Sequence, residues 1–384
     1  MTKAVLDVLY QLHKTGYQAY LVGGGVRDAL IGRVPKDFDV ATNATPEQVK
    51  GMFRRCRIIG RRFRLAHVYS RHELIEVATF RAAQDTSADQ PGILLRDNEY
   101  GSIEEDAQRR DITINAIYYN IADYSIVDYA NGMQDIQARI IRLIGEPSRR
   151  YQEDPVRMLR VIRFAAKLQF AIEPATAAPI ATQGQLLTAV PAARLTDEIH
   201  KLFMLGHGWD TYTLLQQHGL YSRLFPLAAD PVQTPAAAAL IEHGLRNTDQ
   251  RIHKGLPSTP AYLYAILLWE SVRRRTEHNS AQGMDLYPAH QQAAIEIVAQ
   301  QNQTVSIPKR YSTMAREIWA MQASFNTTKG RRPARMVKHP RFRAAYDFML
   351  LRAHAGEIKP EIAAWWTDYQ AKYGPKPSVA RRRK

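Results

Sequence analysis

The chain has 384 residues, 45% of them hydrophobic and 23% charged, so it can form more than one globular domain and is too apolar for disorder. A formal net charge of +15 indicates a polyanionic partner. No run of about 18 apolar residues predicts a membrane span, and the N-terminus lacks a signal-peptide pattern. Cys56, the only cysteine, excludes an internal disulfide and a cysteine-based zinc site. These features predict a cytoplasmic protein that binds no membrane.

The first part of the chain alternates short apolar runs with turns, and the later part has helical periodicity. Strands are predicted at residues 19–22, 38–41, 74–80, 125–129 and 140–144. Helices are predicted at residues 156–168, 192–205, 212–225 and 290–301, with no convincing strand beyond residue 153. This order predicts an α+β fold, in which a mixed α/β head with a small sheet precedes an all-helical remainder that begins near residue 150.

A glycine run follows the first predicted strand. After Gly23, Gly24 and Gly25, a helix can begin at Val26. Glycines at such a junction let the backbone approach a phosphate, and the free N–H groups of a helix start favour anions. Arg27 in the first turn is then placed to reach a triphosphate oxygen. The run is not a P-loop, because no Gly-Lys dipeptide occurs, and it lacks the spaced third glycine of a dinucleotide-binding fold.

Two carboxylates follow at the next predicted strand. Asp37 and Asp39 flank Phe38, and side chains alternate along an extended segment, so we expect both carboxylates on one face and Phe38 in the core. Mg²⁺, with Mn²⁺ as the alternative, accepts two carboxylates together with phosphates and water. A pair of such ions about 3.5–4 Å apart activates an attacking hydroxyl and stabilises a leaving pyrophosphate. Glycines alone or paired aspartates alone are usually structural, but their combined order favours a catalytic site.

This combination resembles the glycine and paired-aspartate motif of the polymerase-β-like nucleotidyltransferase superfamily, in particular its CCA-adding enzyme and poly(A) polymerase group. Three later blocks match that group in order. They are RRDITINA (109–116), NGMQDIQARIIRLIG (131–145) and EDPVRMLRVIRFAAKL (153–168). The resemblance implies a nucleotidyltransferase head, nucleotide binding by Gly23, Gly24, Arg27 and Arg110, and an active-site role for Asp111.

The third block is a predicted neck helix. Asp154 and Arg157 are three residues apart and share one helical face, which Arg160 and Arg163 extend. A carboxylate can accept from the adenine amino group while a guanidinium donates to the adjacent ring nitrogen. The resemblance implies that Asp154 and Arg157 recognise the base, and that Arg160 and Arg163 face phosphate or hold the pocket. Since Pro155 follows Asp154, a simple helix cap is the alternative.

The third active-site carboxylate has two candidates. Glu76 lies on an apolar predicted strand and is placed to complete the metal site. Asp111 is the competitor, and it could instead hold Arg110 or a ribose hydroxyl. We take Asp111 as catalytic beside the paired aspartates and Glu76 as a further metal ligand. A buried structural ion pair is the alternative for each.

Several blocks resemble the poly(A) polymerase subgroup in particular. They are residues 58–68, 94–111, 307–310 and 339–353. Ten of the 15 net positive charges lie between residues 330 and 384, which fits loose binding of an RNA backbone. RNA contacts are predicted from Lys309, Arg310, Arg331, Arg332, Arg341 and Arg343. Tyr311 and Trp319 could stack bases, although burial in the core is the commoner situation for aromatics.

The sequence therefore predicts template-independent addition of AMP from ATP to RNA 3′ ends. A CCA-adding enzyme and, from another class, a non-catalytic RNA-binding protein are the alternatives. DNA is not an expected partner, and no protein partner is predicted. The predicted domains are a nucleotidyltransferase head over 1–150, a neck over 151–205, a helical RNA-binding body over 206–375 and a basic tail over 376–384.

Overall fold

The computed structural model describes residues 1–60, 64–82, 99–229 and 234–374. The chain forms two compact units, Met1–Gln183 and Gly184–Lys384. The basic tail and parts of the sequence blocks at 58–68 and 94–111 lie outside the described residues. The division into head, neck, body and tail stays a prediction.

The N-terminal unit is built around a seven-stranded sheet. Its strands are β1 (Ala19–Val22), β2 (Asp39–Thr42), β3 (Cys56–Ile59), β4 (Leu65–Ser70), β5 (Glu73–Thr79), β6 (Ile117–Asn120) and β7 (Ile126–Asp128). Their order across the sheet is β3-β4-β5-β2-β1-β6-β7. Strands β2 and β5 are parallel, and the other neighbouring pairs are antiparallel. The strand that carries Asp39 is therefore central.

Helices surround this sheet and continue beyond it. They are α1 (Lys3–Lys14), α2 (Gly24–Leu30), α3 (Pro46–Met52), α4 (Ile103–Arg109), α5 (Gly132–Ala138), α6 (Pro147–Glu153), α7 (Val156–Leu168) and α8 (Pro174–Gln183). A capping box formed by Ser102 and Glu105 begins α4, so its last turn delivers Arg109 and Arg110 to the sheet. A second, two-stranded parallel sheet joins β8 (Ile140–Ile141) to β9 (Ala171–Ile172).

Different helices pack on the two faces of the large sheet. Residues of α1 and α3 pack on one face against Val40, Val68 and Val77 in the main core. On the other face, α4 packs on Val22 and the neighbouring residues of β1, β2 and β6. Asp39 is paired with Val22 in the sheet register, so its side chain belongs to this second face.

The C-terminal unit is helical. Its helices are α9 (Ala192–Phe203), α10 (Gly208–Gln217), α11 (Tyr221–Leu224), α12 (Pro226–Ala229), α13 (Pro235–His253), α14 (Pro260–Ala281), α15 (Leu286–Gln301), α16 (Lys309–Ala320), α17 (Arg332–Met336), α18 (Phe342–His354) and α19 (Pro360–Tyr373). Short 3₁₀ helices occur at Gly184–Ala189 and Gln322–Asn326. Within the described ranges, none of the helices is long and apolar enough to span a bilayer.

The predicted α+β class is confirmed, with corrections at individual elements. Strand β9 lies beyond residue 153, where no strand was expected. The helix predicted at 212–225 is divided into α10 and α11, because Gly219 adopts a positive φ of 68° that ends the first helix. Strands β3, β4 and β6 were missed. Burial alternates along β3 and β4, but apolar residues such as Ile59 and Leu65 occupy the more exposed positions and hide this period in the sequence. Helix α2 begins at Gly24, earlier than the expected Val26.

Candidate active site

The glycine run forms the turn between β1 and α2. Gly23 has a φ of 77°, a conformation that residues with a side chain rarely adopt. A Cβ on Gly25 would lie 2.9 Å from the carbonyl oxygen of Asp37, so only glycine lets α2 approach that segment. The position of a Cβ on Gly23 is 3.8 Å from both Asp39 Oδ2 and Arg110 Nη1. The turn therefore lies between a carboxylate and a guanidinium.

The paired aspartates lie at the start of β2. Asp39 is its first residue, whereas Asp37 and Phe38 precede the strand, so the expected alternation holds only in part. Both aspartates are exposed to solvent, and Phe38 packs against the main core as expected. Asp39 is also in register with Glu76 of β5, so the two acidic residues lie on neighbouring strands and the same face.

The electrostatics of this group favour a bound cation. The pKa of Asp39 is raised from 3.8 to about 6 by burial, by Glu76 and by Asp37, against the opposing effect of Arg110. The negative charges of Glu76 and Asp37 thus disfavour the ionised form of Asp39, and a divalent cation beside it would relieve the repulsion. Across the described ranges, however, no three Asp, Glu, His or Cys side chains are arranged as a preformed metal site. Glu76 as a metal ligand stays a prediction.

Asp39→Asn is expected to stabilise the metal-free protein at high pH. Because Asp39 holds its proton more tightly when folded, its contribution favours folding at low pH and is lost as the pH rises through about 6. At pH 8 the variant should gain about 1 kcal/mol in unfolding free energy, less than the full shift implies because solvent reaches the carboxylate. The check is to measure the unfolding free energy of the variant and the wild type in EDTA at pH 8 and at pH 4. An equal gain in unfolding free energy at both pH values would contradict the prediction.

Arg110 is held in place by a network on the second face. Its Nη2 donates to Asp106 Oδ2 at 3.0 Å and its Nε donates to the Tyr118 hydroxyl at 3.0 Å. The Tyr118 hydroxyl in turn donates to Asp106 at 2.7 Å. This network presents the outer nitrogen of Arg110 towards Gly23 and Asp39. Asp106, not Asp111, is thus the carboxylate that holds Arg110.

Asp111 is paired with the predicted neck helix. Arg160 Nε donates to Asp111 Oδ2 at 2.7 Å, and the backbone N–H of Ile112 donates to Oδ1 at 2.9 Å. Burial would raise the pKa of Asp111, but the Arg160 guanidinium and these hydrogen bonds hold it below the ordinary value. Both carboxylate oxygens are therefore occupied. The ion pair named as the structural alternative is thus present, and a catalytic role for Asp111 stays a prediction.

Helices α6 and α7 hold the same segment through its backbone. Arg150 Nη2 donates to the carbonyl oxygens of Arg109 and Arg110 at 2.9 and 2.8 Å. Arg157 Nη1 donates to the carbonyl of Arg110 at 3.5 Å, and its buried Nε has no hydrogen-bond partner in the described structure. Asp154 Oδ1 accepts the N–H of Val156 at 3.2 Å, as a helix cap does. Arg157 thus retains donor capacity beside the active-site segment.

Arg27 is buried behind the glycine turn. Its side chain is buried with 1% exposure, donates to Asp28 Oδ1 from Nε and Nη2 and also donates to Asn115 Oδ1. Its guanidinium lies 5.2 Å from the centre of the Phe164 ring of α7. These contacts fix α2 against α7, while Arg27 Nη2 lies 3.4 Å from the position of a Cβ on Gly24. Binding of a triphosphate oxygen by Arg27 stays a prediction.

Arg160 and Arg163 share this aromatic partner. Their guanidinium carbons lie 5.9 and 4.9 Å from the centre of the Phe164 ring. With Arg27, three guanidinium groups therefore surround one phenylalanine, an arrangement that cation–π attraction stabilises. Of the two roles expected for Arg160 and Arg163, these contacts favour holding the pocket.

The predicted RNA-binding residues lie on the C-terminal unit and divide into two groups. Arg341 is paired with Glu317 and Arg343 with Asp347, both at 2.9 Å. Five exposed cations of the same region make no ion pair with any described residue. They are Lys329, Arg331, Arg332, Arg335 and Lys338. Lys309 and Arg310, at the start of α16, are also exposed. The unpaired group is the stronger electrostatic candidate, and Arg335 and Lys338 were missed although they continue the same basic run.

The two aromatic candidates differ. Trp319 is fully buried and donates to the carbonyl of Ala265 at 3.0 Å, so it cannot stack a base. Tyr311 is partly exposed and packs edge-on against His200. Burial in the core, named above as the commoner situation for aromatics, is thus confirmed for Trp319.

Sequence reasoning missed several residues that organise this site. Asp106 lies four residues before Arg110, a spacing that places both on one face if the segment is helical, so it had a local signal. Tyr118 and Arg150 had none, because their partners are distant in sequence. His67 was also missed, and its Nε2 lies 3.5 Å from Glu76 Oε1.

Family models match three parts of the chain. Residues 19–142 match the poly A polymerase head domain, and residues 169–230 match the probable RNA and SrmB-binding site of polymerase A. Residues 282–383 match the arginine-rich C-terminus of polymerase A. The head-domain model includes the glycine turn, the paired aspartates and Asp111, and the C-terminal model includes the basic region. Helices α6 and α7 lie between the matched ranges.

Individual proteins give the same result. Poly(A) polymerase I of Salmonella typhi is 46% identical over 98% of this chain and 84% of the relative. The CCA-adding enzyme of Bacillus subtilis is 39% identical over only 57% of this chain and 54% of its own length. The crystal structure of the Bacillus stearothermophilus CCA-adding enzyme in complex with CTP has a TM-score of 0.65 and 26% identity, covering 97% of this chain and 83% of that one. This chain therefore belongs to the poly(A) polymerase family and is a nucleotidyltransferase of the polynucleotide adenylyltransferase class.

Proposed function

We propose that the chain transfers AMP from ATP to RNA 3′ ends in the cytoplasm, with Asp37 and Asp39 as its catalytic carboxylates. The RNA 3′ hydroxyl attacks the α-phosphorus in line, a new oxygen–phosphorus bond forms, and pyrophosphate leaves. The observation that supports this assignment is the raised pKa of Asp39 beside Asp37 and Glu76, at the glycine turn. Positioning and charge neutralisation supply most of the rate in such transfers.

A divalent cation fits this donor set. Asp37 and Asp39 would hold it, with Glu76 as a further candidate, and Mg²⁺ or Mn²⁺ suits such oxygen ligands. When bound, it would lower the pKa of the attacking hydroxyl and neutralise charge on the leaving group. Arg110 faces the same space and is placed to bind a phosphate oxygen, while Gly23 keeps that space free of a side chain. Gly24 would contribute through its backbone at the start of α2.

Base recognition is assigned to the beginning of α7. Asp154 would accept from the adenine amino group, and Arg157, whose Nε lacks a hydrogen-bond partner within the described ranges, would donate to the neighbouring ring nitrogen. Arg160 and Arg163 would hold this pocket through Asp111 and Phe164. Arg27 would act in the same way, as a positioning residue.

Asp154→Asn separates base recognition from helix capping. Asparagine caps a helix as well as aspartate, so a residue that only caps would tolerate the change. Base recognition predicts that kcat/KM for ATP falls about 10- to 100-fold, with a smaller effect on CTP. Steady-state kinetics with each nucleotide measure this, and Arg149→Ala on the exposed side of α6 is the matched control. An unchanged ATP preference would leave Asp154 with the cap alone.

The exposed cations of the C-terminal unit would bind the RNA backbone. Lys309, Arg310, Arg331 and Arg332 belong to this group, and their charges suit contacts that carry no sequence preference. Arg341 and Arg343 are assigned a smaller part, because each already has a carboxylate partner.

A nucleotide panel on defined RNA primers tests the proposed function. We expect ATP and Mg²⁺ to extend an oligo(A) primer to a range of lengths, with little incorporation of CTP. A CCA-adding enzyme would instead add C and then A to a tRNA that lacks its end, and stop. Incorporation of CTP as efficient as that of ATP would overturn the choice of nucleotide.

A further inference from the structure

We propose that the face of strands β3, β4 and β5 that carries Glu76 and His67 binds the RNA strand immediately upstream of its reacting 3′ end. The inference rests on the proposed function and adds a subsite to it. The occupant is single-stranded RNA, held by arginines at its phosphates and by an aromatic side chain at a base.

The first observation is a continuous polar row across the sheet. In the strand register, Asp39 is opposite Glu76, Glu76 is opposite His67, and His67 is opposite Arg57. Residues opposite each other in a sheet project from the same face. Arg57 therefore shares the face of the catalytic carboxylates, three strand spacings or about 14 Å away.

A second row lies beside the first on the same face. Tyr69 is opposite Leu74, and the backbone N–H of Tyr69 donates to the carbonyl of Arg55 at 2.9 Å. The side chains of Tyr69 and Leu74 are exposed at 44% and 45%. An exposed aromatic ring beside arginines is the usual composition of a surface that binds single-stranded nucleic acid.

The charges of this surface suit a polyanion. Arg54, Arg55 and Arg57 are exposed and make no ion pair with any residue in the described ranges. A cavity of about 560 Å³ lies here, and its lining includes Arg54, Arg55, Arg57, Tyr69, Arg71 and His72. Besides Glu76 of the polar row, the carboxylates of Asp7 and Glu73 lie nearby, and each accepts a hydrogen bond. Asp7 accepts from Arg71 at 2.9 Å, and Glu73 accepts from Thr2 at 2.7 Å.

The position of the surface identifies RNA as the occupant. In the sheet order, β1 with the glycine turn lies on one side of β2, and β5, β4 and β3 lie on the other. The proposed function places ATP on the side of the glycine turn and Arg110. The opposite side of Asp39 is therefore left to the strand that supplies the attacking hydroxyl.

Arg55→Gln combined with Arg57→Gln tests the binding of phosphates by these arginines in the full chain. Primer extension is measured against RNA concentration at several salt concentrations. We expect KM for RNA to rise severalfold and its salt dependence to fall by about 0.7 in logarithmic slope for each phosphate left without its arginine. The KM for ATP should stay unchanged, and the rise in KM for RNA should be larger for longer primers.

The matched control is Lys14→Gln combined with Lys50→Gln. It removes the same two charges from exposed residues of α1 and α3, the helices that pack on the opposite face of the sheet. An equal rise in KM for RNA in this control would show a general charge effect and overturn the subsite.

Tyr69→Ala and Tyr69→Phe test stacking. The alanine variant should raise KM for RNA by about fivefold or more, and phenylalanine should restore it, because stacking needs the ring and not the hydroxyl.

If wild-type protein extends RNA but neither substitution set changes KM for RNA beyond the control, the subsite is absent and the proposed function stands. If wild-type protein fails to extend RNA with ATP, the proposed function fails, and the subsite with it. A rise in KM for ATP in place of RNA would identify a free nucleotide as the occupant and contradict the proposal.

Discussion

Asp39→Asn is expected to reduce AMP incorporation by at least about 1,000-fold, equivalent to about 4 kcal/mol of transition-state stabilisation. The substitution keeps the size of the side chain and removes the charge that lies between Asp37, Glu76 and Arg110. Because the uncharged amide is a weak cation ligand, both positioning and charge neutralisation would be impaired. Single-turnover primer extension with saturating ATP measures the effect on the chemical step.

Asp123→Asn is the control for this variant. Asp123 is an exposed carboxylate in the turn between β6 and β7, and it accepts from Ser125, which an asparagine oxygen can also do. Its substitution should leave incorporation within a factor of two of the wild type. If Asp39→Asn retained more than a tenth of the activity, Asp39 would not be a catalytic carboxylate.

Arg27→Met is expected to lower the unfolding free energy by about 3–5 kcal/mol, or the melting temperature by about 10 °C. Methionine fills a similar volume but removes the buried guanidinium that donates to Asn115 and Asp28. Asn115 loses this partner, whereas Asp28 keeps Lys167 at 3.5 Å. Thermal and urea unfolding of the metal-free protein measure this effect, which is independent of any nucleotide.

Arg33→Met is the control, because it removes the charge of an exposed arginine where Arg27→Met removes that of a buried one. Arg33 is exposed and makes one hydrogen bond, to the carbonyl of Lys167, so its removal should cost no more than about 0.5 kcal/mol. A different result for Arg27→Met would contradict a purely structural role for Arg27. Normal stability of Arg27→Met with a selective decrease in ATP affinity would restore the sequence-based role at the triphosphate.

The fold was predictable where local pattern and tertiary packing agree. The glycine turn, the central strand with Asp39 and helix α7 all combine a regular apolar period with clear boundary residues. Strand β9 has two residues and exists only because β8 pairs with it, so no local signal could reveal it. The same reason explains why Asp37 lies outside β2, since the number of paired residues depends on the neighbouring strand.

The sequence predicts which kinds of residues form the site better than it predicts the role of each residue. The spacing of Asp37 and Asp39 with the glycine turn indicates metal and phosphate chemistry by itself. The roles of Arg27 and Asp111 depend instead on Phe164 and Arg160 of a distant helix, which the local sequence does not reveal. An arginine after a glycine turn can face a ligand or the interior, and only the packing partner decides between them.

The most direct test of the central claim is AMP incorporation by Asp39→Cys in different metal ions. A thiolate is a poor ligand for Mg²⁺ and a good one for softer ions such as Cd²⁺. We predict that the variant is inactive with Mg²⁺ and regains measurable incorporation with Cd²⁺, relative to an Asp39→Ala variant that no ion restores. Activity of Asp39→Cys equal to the wild type in Mg²⁺ would contradict a metal-binding role for this carboxylate.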